Sequence, residues 1–210
     1  MSKEKILHKV RTALGRGAGQ PPTASPPVRL QIPGMEIEDR IAAFSKAIEK
    51  LAGKTHRAGR PSDACAYAEA LIGGGKAVAS NAPILHECGI TRLPWVRTGI
   101  EDARELREIC AAADLGITGA DYALADTGTL VMLSSREEAR MISLLPPVHL
   151  AVVAKERLLT GLDELLSVLP KPAEQTSSMV LITGPSRTAD IEQILIRGVH
   201  GPGEIHVVVV

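Results

Sequence analysis

Aromatic side chains are scarce in this 210-residue sequence, where they make up 2% of the residues. Few aromatic rings leave few stacking platforms for single-stranded nucleic acid. The sequence also lacks an excess of either charge, because 24 Lys and Arg residues balance 24 Asp and Glu residues. No net field therefore attracts nucleic acid or an anionic membrane. We expect no nucleic-acid partner, and a core built from aliphatic side chains.

Cysteines and long apolar runs are also few. Cys65, Cys88 and Cys110 lie far apart and form no Cys-x-x-Cys pair, which argues against a disulfide framework or a set of iron-sulfur ligands. His86 and Cys88 alone are too few for a metal site, so we expect no metal. No apolar run reaches the roughly 18 residues of a membrane helix, and the N-terminus lacks an apolar signal region. These absences predict a cytoplasmic protein without a membrane span.

The chain divides at a glycine- and proline-rich segment, residues 15–34. Residues 2–14 place four apolar side chains on one helical face, whereas the composition of the segment that follows is typical of a linker. We predict an N-terminal amphipathic helix and linker over 1–34, and one α/β domain over 35–210. The helix is either a terminal arm or a segment that docks on its own domain or on a second subunit.

The rest of the sequence alternates short apolar runs with amphipathic stretches of about ten residues, which is typical of a largely parallel sheet flanked by helices. The adjacent runs at Ile117 and Leu130 have no helix between them, which predicts an antiparallel hairpin there. The predicted strands are 55–58, 76–80, 115–118, 129–133, 149–154, 179–183 and 205–210. The predicted helices are 37–51, 61–72, 101–113, one from Ser135 to Pro146, 158–169 and 188–197.

Polar residues that follow the run at Leu115 form the first candidate site. Asp126 is a candidate base, nucleophile or hydrogen-bond acceptor for a ligand hydroxyl. The alternative is a polar turn in which Asp126 and Thr127 bond to nearby backbone. The candidate ligand contacts in this segment are Thr118, Asp121, Asp126, Thr127, Gly128 and Thr129.

A second candidate site lies where an apolar run ends at Gly184 and a helix is predicted to start at Thr188. Backbone donors at a helix start, with Arg187 beside them, favour an anion. The alternative is a capped helix with Arg187 in solvent. His200, within a Gly-Val-His-Gly-Pro loop, is a candidate acid, base or ligand. The remaining candidate anion or ligand contacts are Arg140, Gly184, Ser186, Thr188 and Gly201.

Four ordered motifs carry a family resemblance: Gly116-Ile-Thr-Gly-Ala-Asp-Tyr-Ala-Leu-Ala-Asp-Thr-Gly-Thr-Leu130, Arg140 to Pro147 with His149, Gly184-Pro-Ser-Arg-Thr-Ala-Asp-Ile-Glu192 and Gly198-Val-His-Gly-Pro202. Together they resemble the LUD-domain family, over the whole chain. The resemblance implies a fold similar to the sugar-phosphate isomerase and CoA-transferase superfamily. It also implies one component of a three-protein iron-sulfur system that oxidises L-lactate to pyruvate. Asp126 stands where many relatives have Glu.

Two classes of function follow. The first is a non-redox accessory subunit that binds a small anionic metabolite and iron-sulfur partner proteins, with the clusters on the partners and no cofactor on this chain. The second is a free-standing isomerase, CoA-transferase or cyclo-ligase that acts on a phosphorylated or thioester metabolite through Asp126 or His200. A scaffold whose polar motifs only shape turns is the remaining alternative.

Overall fold

The computed structural model describes residues 2–17, 19–20, 31–189 and 195–210. The chain divides into two compact units, Met1–Leu30 and Gln31–Val210. The helices are α1 (Lys3–Ala13), α2 (Ile37–Lys50), α3 (Pro61–Ile72), α4 (Pro83–Glu87), α5 (Ala103–Ala112), α6 (Leu162–Val168) and α7 (Pro172–Gln175). The strands are β1 (Lys54–Arg57), β2 (Ala77–Ala79), β3 (Val96–Arg97), β4 (Leu115–Gly119), β5 (Tyr122–Leu124), β6 (Thr129–Leu133), β7 (Val148–Val153), β8 (Leu158–Leu159), β9 (Met179–Ile182), β10 (Arg187–Ala189), β11 (Leu195–Arg197) and β12 (Glu204–Val209).

Helix α1 forms in the first unit, as the apolar spacing predicts. The Ser2 side chain accepts a hydrogen bond from the backbone N–H of Lys5, which satisfies one of the unpaired donors at the helix start. No residue of α1 is buried, and its apolar face is exposed along its length. Most of the predicted linker, residues 18 and 21–30, lies outside the described residues.

A parallel six-stranded sheet forms the centre of the second unit, in the order β1-β12-β7-β4-β2-β3. Its central strands carry near-continuous buried runs, such as five buried residues of six in β7, because helices cover both faces. Helices α3 and α4 contribute Ala64, Ala68 and Leu85 to one hydrophobic cluster. Helix α2 contributes Ile41, Phe44 and Ile48 to another. The predicted α/β fold is confirmed.

The chain leaves this sheet between β4 and β7, and again between β7 and β12, to build a second, four-stranded sheet in the order β8-β5-β6-β9. Strands β5 and β6 pair antiparallel, with Ala123 opposite Leu130. Gly128 adopts φ of 66° in the connecting turn, a conformation that glycine adopts at little cost. The predicted antiparallel hairpin is therefore confirmed.

The prediction of a helix from Ser135 to Pro146 is wrong. The Ser135 hydroxyl accepts hydrogen bonds from the N–H groups of Glu137 and Glu138, as an N-cap does. The Glu138 carboxylate, however, bonds to Ser80 and Gly119 rather than back to the cap. Only a short 3-10 turn, Arg140–Ser143, follows.

The prediction of a helix over 188–197 is also wrong. Strands β10 and β11 pair antiparallel there, with Thr188 opposite Ile196, and residues 190–194 lie outside the described residues. The Ser186 carbonyl accepts from the Gly198 N–H and the Ser186 N–H donates to the Pro202 carbonyl, which brings both sides of this segment together as a ribbon. The helix start that favoured an anion at Thr188 is therefore absent.

The helix predicted over 158–169 is shorter in the structure, because residues 158–159 form β8 and the helix spans Leu162–Val168.

Candidate functional site

A cavity of about 450 Å³ lies at the carboxyl ends of the parallel strands. Ligands of open α/β sheets bind at this edge, and the volume lies within the range of metabolite pockets, roughly 300–1,000 Å³. Gly119 at the end of β4 and Ala154 just after β7 line it. The other lining residues are Ala82, Pro83, Ile84, Glu87, Ala120, Asp121, Tyr122, Leu133, Ser135, Glu137, Glu138 and Arg157.

Glu138 is a buried carboxylic acid in the wall of this cavity, with 7% of the residue exposed. Its Oε2 atom accepts hydrogen bonds from the Ser80 hydroxyl at 2.8 Å and from the Gly119 N–H at 3.1 Å. Burial raises the pKa of Glu138 to about 8, although these two donors oppose the rise. Glu138 is therefore largely neutral at pH 7.

Asp121 lies beside Glu138 in the same wall, just beyond the end of β4. Its carboxylate accepts the Leu133 N–H at 2.7 Å. Burial raises the pKa of Asp121, and Arg157 opposes the rise. The negative charge of Asp121 in turn adds to the raised pKa of Glu138. The three side chains thus form one electrostatically coupled group.

Arg157 is the one cation among the described residues that line the cavity. Its guanidinium lies 5.3 Å from the centre of the Tyr122 ring, and Nη1 donates to the Tyr122 hydroxyl at 3.3 Å. Glu87 and Glu137 add two more acidic residues to the lining. With one arginine among four acidic residues, the lining can pair with at most one negative charge of a ligand, and it disfavours a phosphate group within the cavity.

Thr118 lies in β4 but does not line the cavity. It is fully buried, and its hydroxyl lies 2.8 Å from Nε2 of His149. Nδ1 of His149 is buried and has no hydrogen-bond partner in the described part of the chain, and burial lowers the pKa of His149 to about 4. Thr118 thus provides the hydrogen-bond partner for Nε2 of a neutral histidine.

Replacing Thr118 by valine should lower the free energy of unfolding by about 1–3 kcal/mol, because both ring nitrogens of His149 would then be buried without a partner. Urea unfolding at neutral pH measures the loss. Thr91→Val is the matched control, because the Thr91 hydroxyl lies 2.9 Å from Nδ1 of the exposed His86, where water replaces the lost partner. Equal losses in the two variants would show that the burial of His149 does not determine the cost of losing its hydrogen-bond partner.

Asp126 to Thr129 form the turn between β5 and β6. The exposed Asp126 carboxylate accepts the Thr127 hydroxyl at 3.0 Å. The Thr129 hydroxyl lies 2.8 Å from that of Thr127 and 2.9 Å from that of Thr183. These are the local bonds of a polar turn, and none of these residues lines the cavity.

Gly184 and Arg187 contact the end of α2. A methyl group on Gly184 would lie 2.9 Å from Cβ of Leu51, and the Arg187 guanidinium donates to the Leu51 carbonyl. That carbonyl lies just past the last residue of α2, where a cation is favourable. Gly128 also packs on α2, against Ile48. The structure thus brings three candidate residues together around one helix end.

The remaining candidate residues lie apart from the cavity lining. Arg140 donates to the Ser178 hydroxyl at 3.1 Å. His200 is exposed, and Gly201 lies close to Ser186. Thr188 lies in β10. Of all the candidate site residues, Asp121 alone lines the cavity.

Sequence reasoning missed Glu138 and Arg157. Arg157 follows the buried run 149–154 by three residues, so the rule that polar residues beyond strand ends line a site would have included it. Glu138 has no such signal, because its place in the cavity depends on contacts with Ser80, 58 residues earlier.

Cys65, Cys88 and Cys110 are free thiols, as predicted. Over the described parts of the chain, no three His, Cys, Asp or Glu residues gather in a way that could hold a metal ion. Within the same parts of the chain, no helix has the length and apolar character needed to cross a membrane.

Sequence comparison identifies relatives of this chain among known proteins. Lactate utilization protein C of Geobacillus sp. (strain WCH70) is 34% identical over 152 residues, which cover 66% of this chain and 63% of that protein. Lactate utilization protein C of Bacillus subtilis (strain 168) is 26% identical over 226 residues, which cover 96% of this chain and 92% of that protein. The chain thus spans less than two thirds of the first relative and nearly all of the second.

The crystal structure of a DUF162 family protein from Deinococcus radiodurans superposes with a TM-score of 0.64. The match covers 84% of this chain and 99% of that chain at 19% sequence identity, and shows that the fold is shared. The family model described as LUD domain matches residues 41–210. This match includes the parallel sheet and the cavity at its carboxyl edge, and the chain belongs to the LUD domain family.

Proposed function

We propose that this chain is a non-redox subunit of a cytoplasmic lactate-utilisation system, in which it binds a small monocarboxylate. The two relatives named lactate utilization protein C support the role in lactate utilisation. Iron-sulfur proteins are the proposed partners, and the family resemblance supports them. The clusters would belong to those partners.

The proposed class of ligand rests on the position of Arg157 in the acidic cavity. Lactate and pyruvate each carry one carboxylate, which matches one guanidinium, and arginine binds carboxylates through two parallel hydrogen bonds. The raised pKa values of Asp121 and Glu138 reduce the negative charge that such a ligand would meet. Among anionic metabolites, a monocarboxylate is therefore the class that the charges of this site oppose least.

The same charges argue against the second class of function, an isomerase, CoA-transferase or cyclo-ligase acting on a phosphorylated or thioester metabolite. A phosphate group carries more than one negative charge at neutral pH, and one arginine would face it beside four acidic residues. Asp126 and His200, the proposed catalytic residues of that class, do not line the cavity.

Replacing Arg157 by glutamine tests the binding site. We expect pyruvate and lactate to bind about ten to a hundred times more weakly, because a hydrogen bond to a charged group contributes about 1.5–3 kcal/mol. Titration calorimetry on the purified chain measures the affinities. Arg107→Gln, at an exposed position on α5, is the control and should bind as the wild type does. Unchanged affinity in Arg157→Gln would contradict the proposed site.

The non-redox part of the proposal has its own test. The purified chain, mixed with lactate and an artificial electron acceptor, should produce no pyruvate, whereas addition of the iron-sulfur partner proteins should start turnover. Lactate oxidation by the purified chain alone would contradict an accessory role while leaving the cavity as the binding site.

A further inference from the structure

Glu138 has one oxygen whose role the contacts within the chain do not explain. Its Oε2 atom holds two hydrogen bonds, from Ser80 and from Gly119. Its Oε1 atom is buried and has no partner among the described residues. Buried polar atoms nearly always have a partner in protein, water or ligand. Glu138 lines the cavity, so a small turn of its side chain would bring Oε1 to a ligand atom held there.

The two contacts to Oε2 also decide where the proton of the neutral acid lies. Oε2 already accepts from two donors, so a proton placed there would compete with both. The proton therefore lies on Oε1, and Glu138 presents an O–H donor without an acceptor. Such a donor destabilises the fold when it is left buried and unpaired, and an acceptor atom would remove that cost.

We infer that Glu138 determines specificity in the cavity: its Oε1 hydroxyl donates to an acceptor oxygen of the ligand and thereby favours a 2-oxo acid over the matching 2-hydroxy acid. The inference rests on the proposed function, in which Arg157 binds the carboxylate of the ligand. A ketone oxygen only accepts hydrogen bonds. A hydroxyl in its place also brings a proton that needs an acceptor, and the Ser80 hydroxyl beside it is already committed to Oε2.

Asp121 is the group that most directly competes with this assignment. It lies in the same wall, its charge acts on Glu138, and it is an alternative acceptor for a ligand hydroxyl. Glu87, Glu137 and Arg157 are the other charged side chains that line the cavity. The Asp121→Asn variant separates the two carboxyls. This variant should still prefer 2-oxo acids. The preference should, however, be lost at a lower pH than in the wild type, because removal of the negative charge of Asp121 lowers the pKa of Glu138.

The preference should depend on pH because the donor disappears when Glu138 ionises. Below its pKa of about 8, we expect the wild type to bind pyruvate at least about tenfold more tightly than lactate, as one good hydrogen bond is worth about 1.4 kcal/mol. Above it, the carboxylate repels a ketone oxygen and accepts from a hydroxyl. The affinity ratio should then fall to about one or below.

Titration calorimetry at about pH 6.5 and about pH 9.5, on either side of the Glu138 pKa, measures the ratio for matched oxo and hydroxy acids of several lengths. Glu138→Gln keeps an N–H donor that does not titrate, so its preference should persist at both pH values. Glu138→Ala should lose the preference at both. Circular dichroism checks that each protein is folded under both conditions.

The outcomes separate this inference from the proposed function. Equal binding of pyruvate and lactate by the wild type at the lower pH overturns the role of Glu138 but leaves a lactate-utilisation subunit intact. A pH-dependent preference for longer 2-oxo acids, without binding of pyruvate or lactate, supports the role of Glu138 and overturns the lactate ligand. A preference that is the same in Glu138→Ala as in the wild type means that water is the partner of Oε1, and the inference is wrong.

Discussion

Replacing Gly128 by alanine should lower the free energy of unfolding by more than about 3 kcal/mol, the loss expected when a strained backbone and a steric clash coincide. Gly128 has φ of 66°. A Cβ atom there would lie 2.5 Å from the backbone N of Ile48 and 2.8 Å from its Cα. Backbone atoms within a helix cannot rotate away as a side chain does, so α2 would have to move off the hairpin.

Gly74→Ala is the matched control for this clash. Gly74 has φ of 87°, and no atom lies within 4 Å of the position that a Cβ would take. Its substitution therefore isolates the conformational cost of a positive φ, which is about 1–2 kcal/mol. Chemical unfolding of both variants separates the two effects. Equal losses would show that α2 does not press on Gly128 as the structure describes.

Replacing Glu138 by glutamine should change the pH dependence of stability by roughly 4–5 kcal/mol. The pKa of Glu138 is about 8 in the folded chain against an ordinary value of 4.5, and each pKa unit is worth about 1.4 kcal/mol. Between these two values the folded chain binds more protons than the unfolded chain, so stability falls as the pH rises. The glutamine variant does not titrate at this position and lacks that fall.

The measured quantity is the difference in free energy of unfolding between wild type and Glu138→Gln at each pH, in which the titrations of groups that are not coupled to Glu138 cancel. His149, whose pKa burial lowers to about 4, weakens both proteins alike below about pH 6.5. Glu137→Gln changes the exposed neighbouring residue and should follow the wild type throughout. A constant difference across the pH range would contradict a buried, neutral Glu138.

The central sheet could be predicted from the sequence because its signals are local. Apolar residues make up most of β7 and α2 has regular apolar spacing, so the local sequence of each predicts its conformation. The hairpin could be predicted for the same reason, from two short runs without a helix between them. The helix over 188–197 fails because strand pairing and the Ser186 contacts to Gly198 and Pro202 override local helix propensity.

The cavity could be predicted only in part. Asp121 follows a strand end directly, and the carboxyl edge of a parallel sheet is where such residues meet. Glu138 enters the wall through contacts with Ser80 and Gly119, which no local pattern encodes. The motifs around Gly128 and Gly184 are as distinctive in sequence as a binding site, yet both glycines pack closely against the C-terminal end of α2. Steric requirements and ligand contacts leave similar patterns in one sequence.

The position of β12 has a consequence for how the chain is made. Strand β12 pairs with β1 on one side and with β7 on the other, and the Lys54–Glu204 ion pair across that first pairing spans 150 residues. At a synthesis rate of about 5–20 residues per second, β1 emerges roughly 8–30 seconds before its partner strand exists. Until β12 is made, one edge of β1 is open, and so is one edge of β7 once β7 has been made. Nascent chains are therefore the form of this protein most exposed to chaperones and to aggregation.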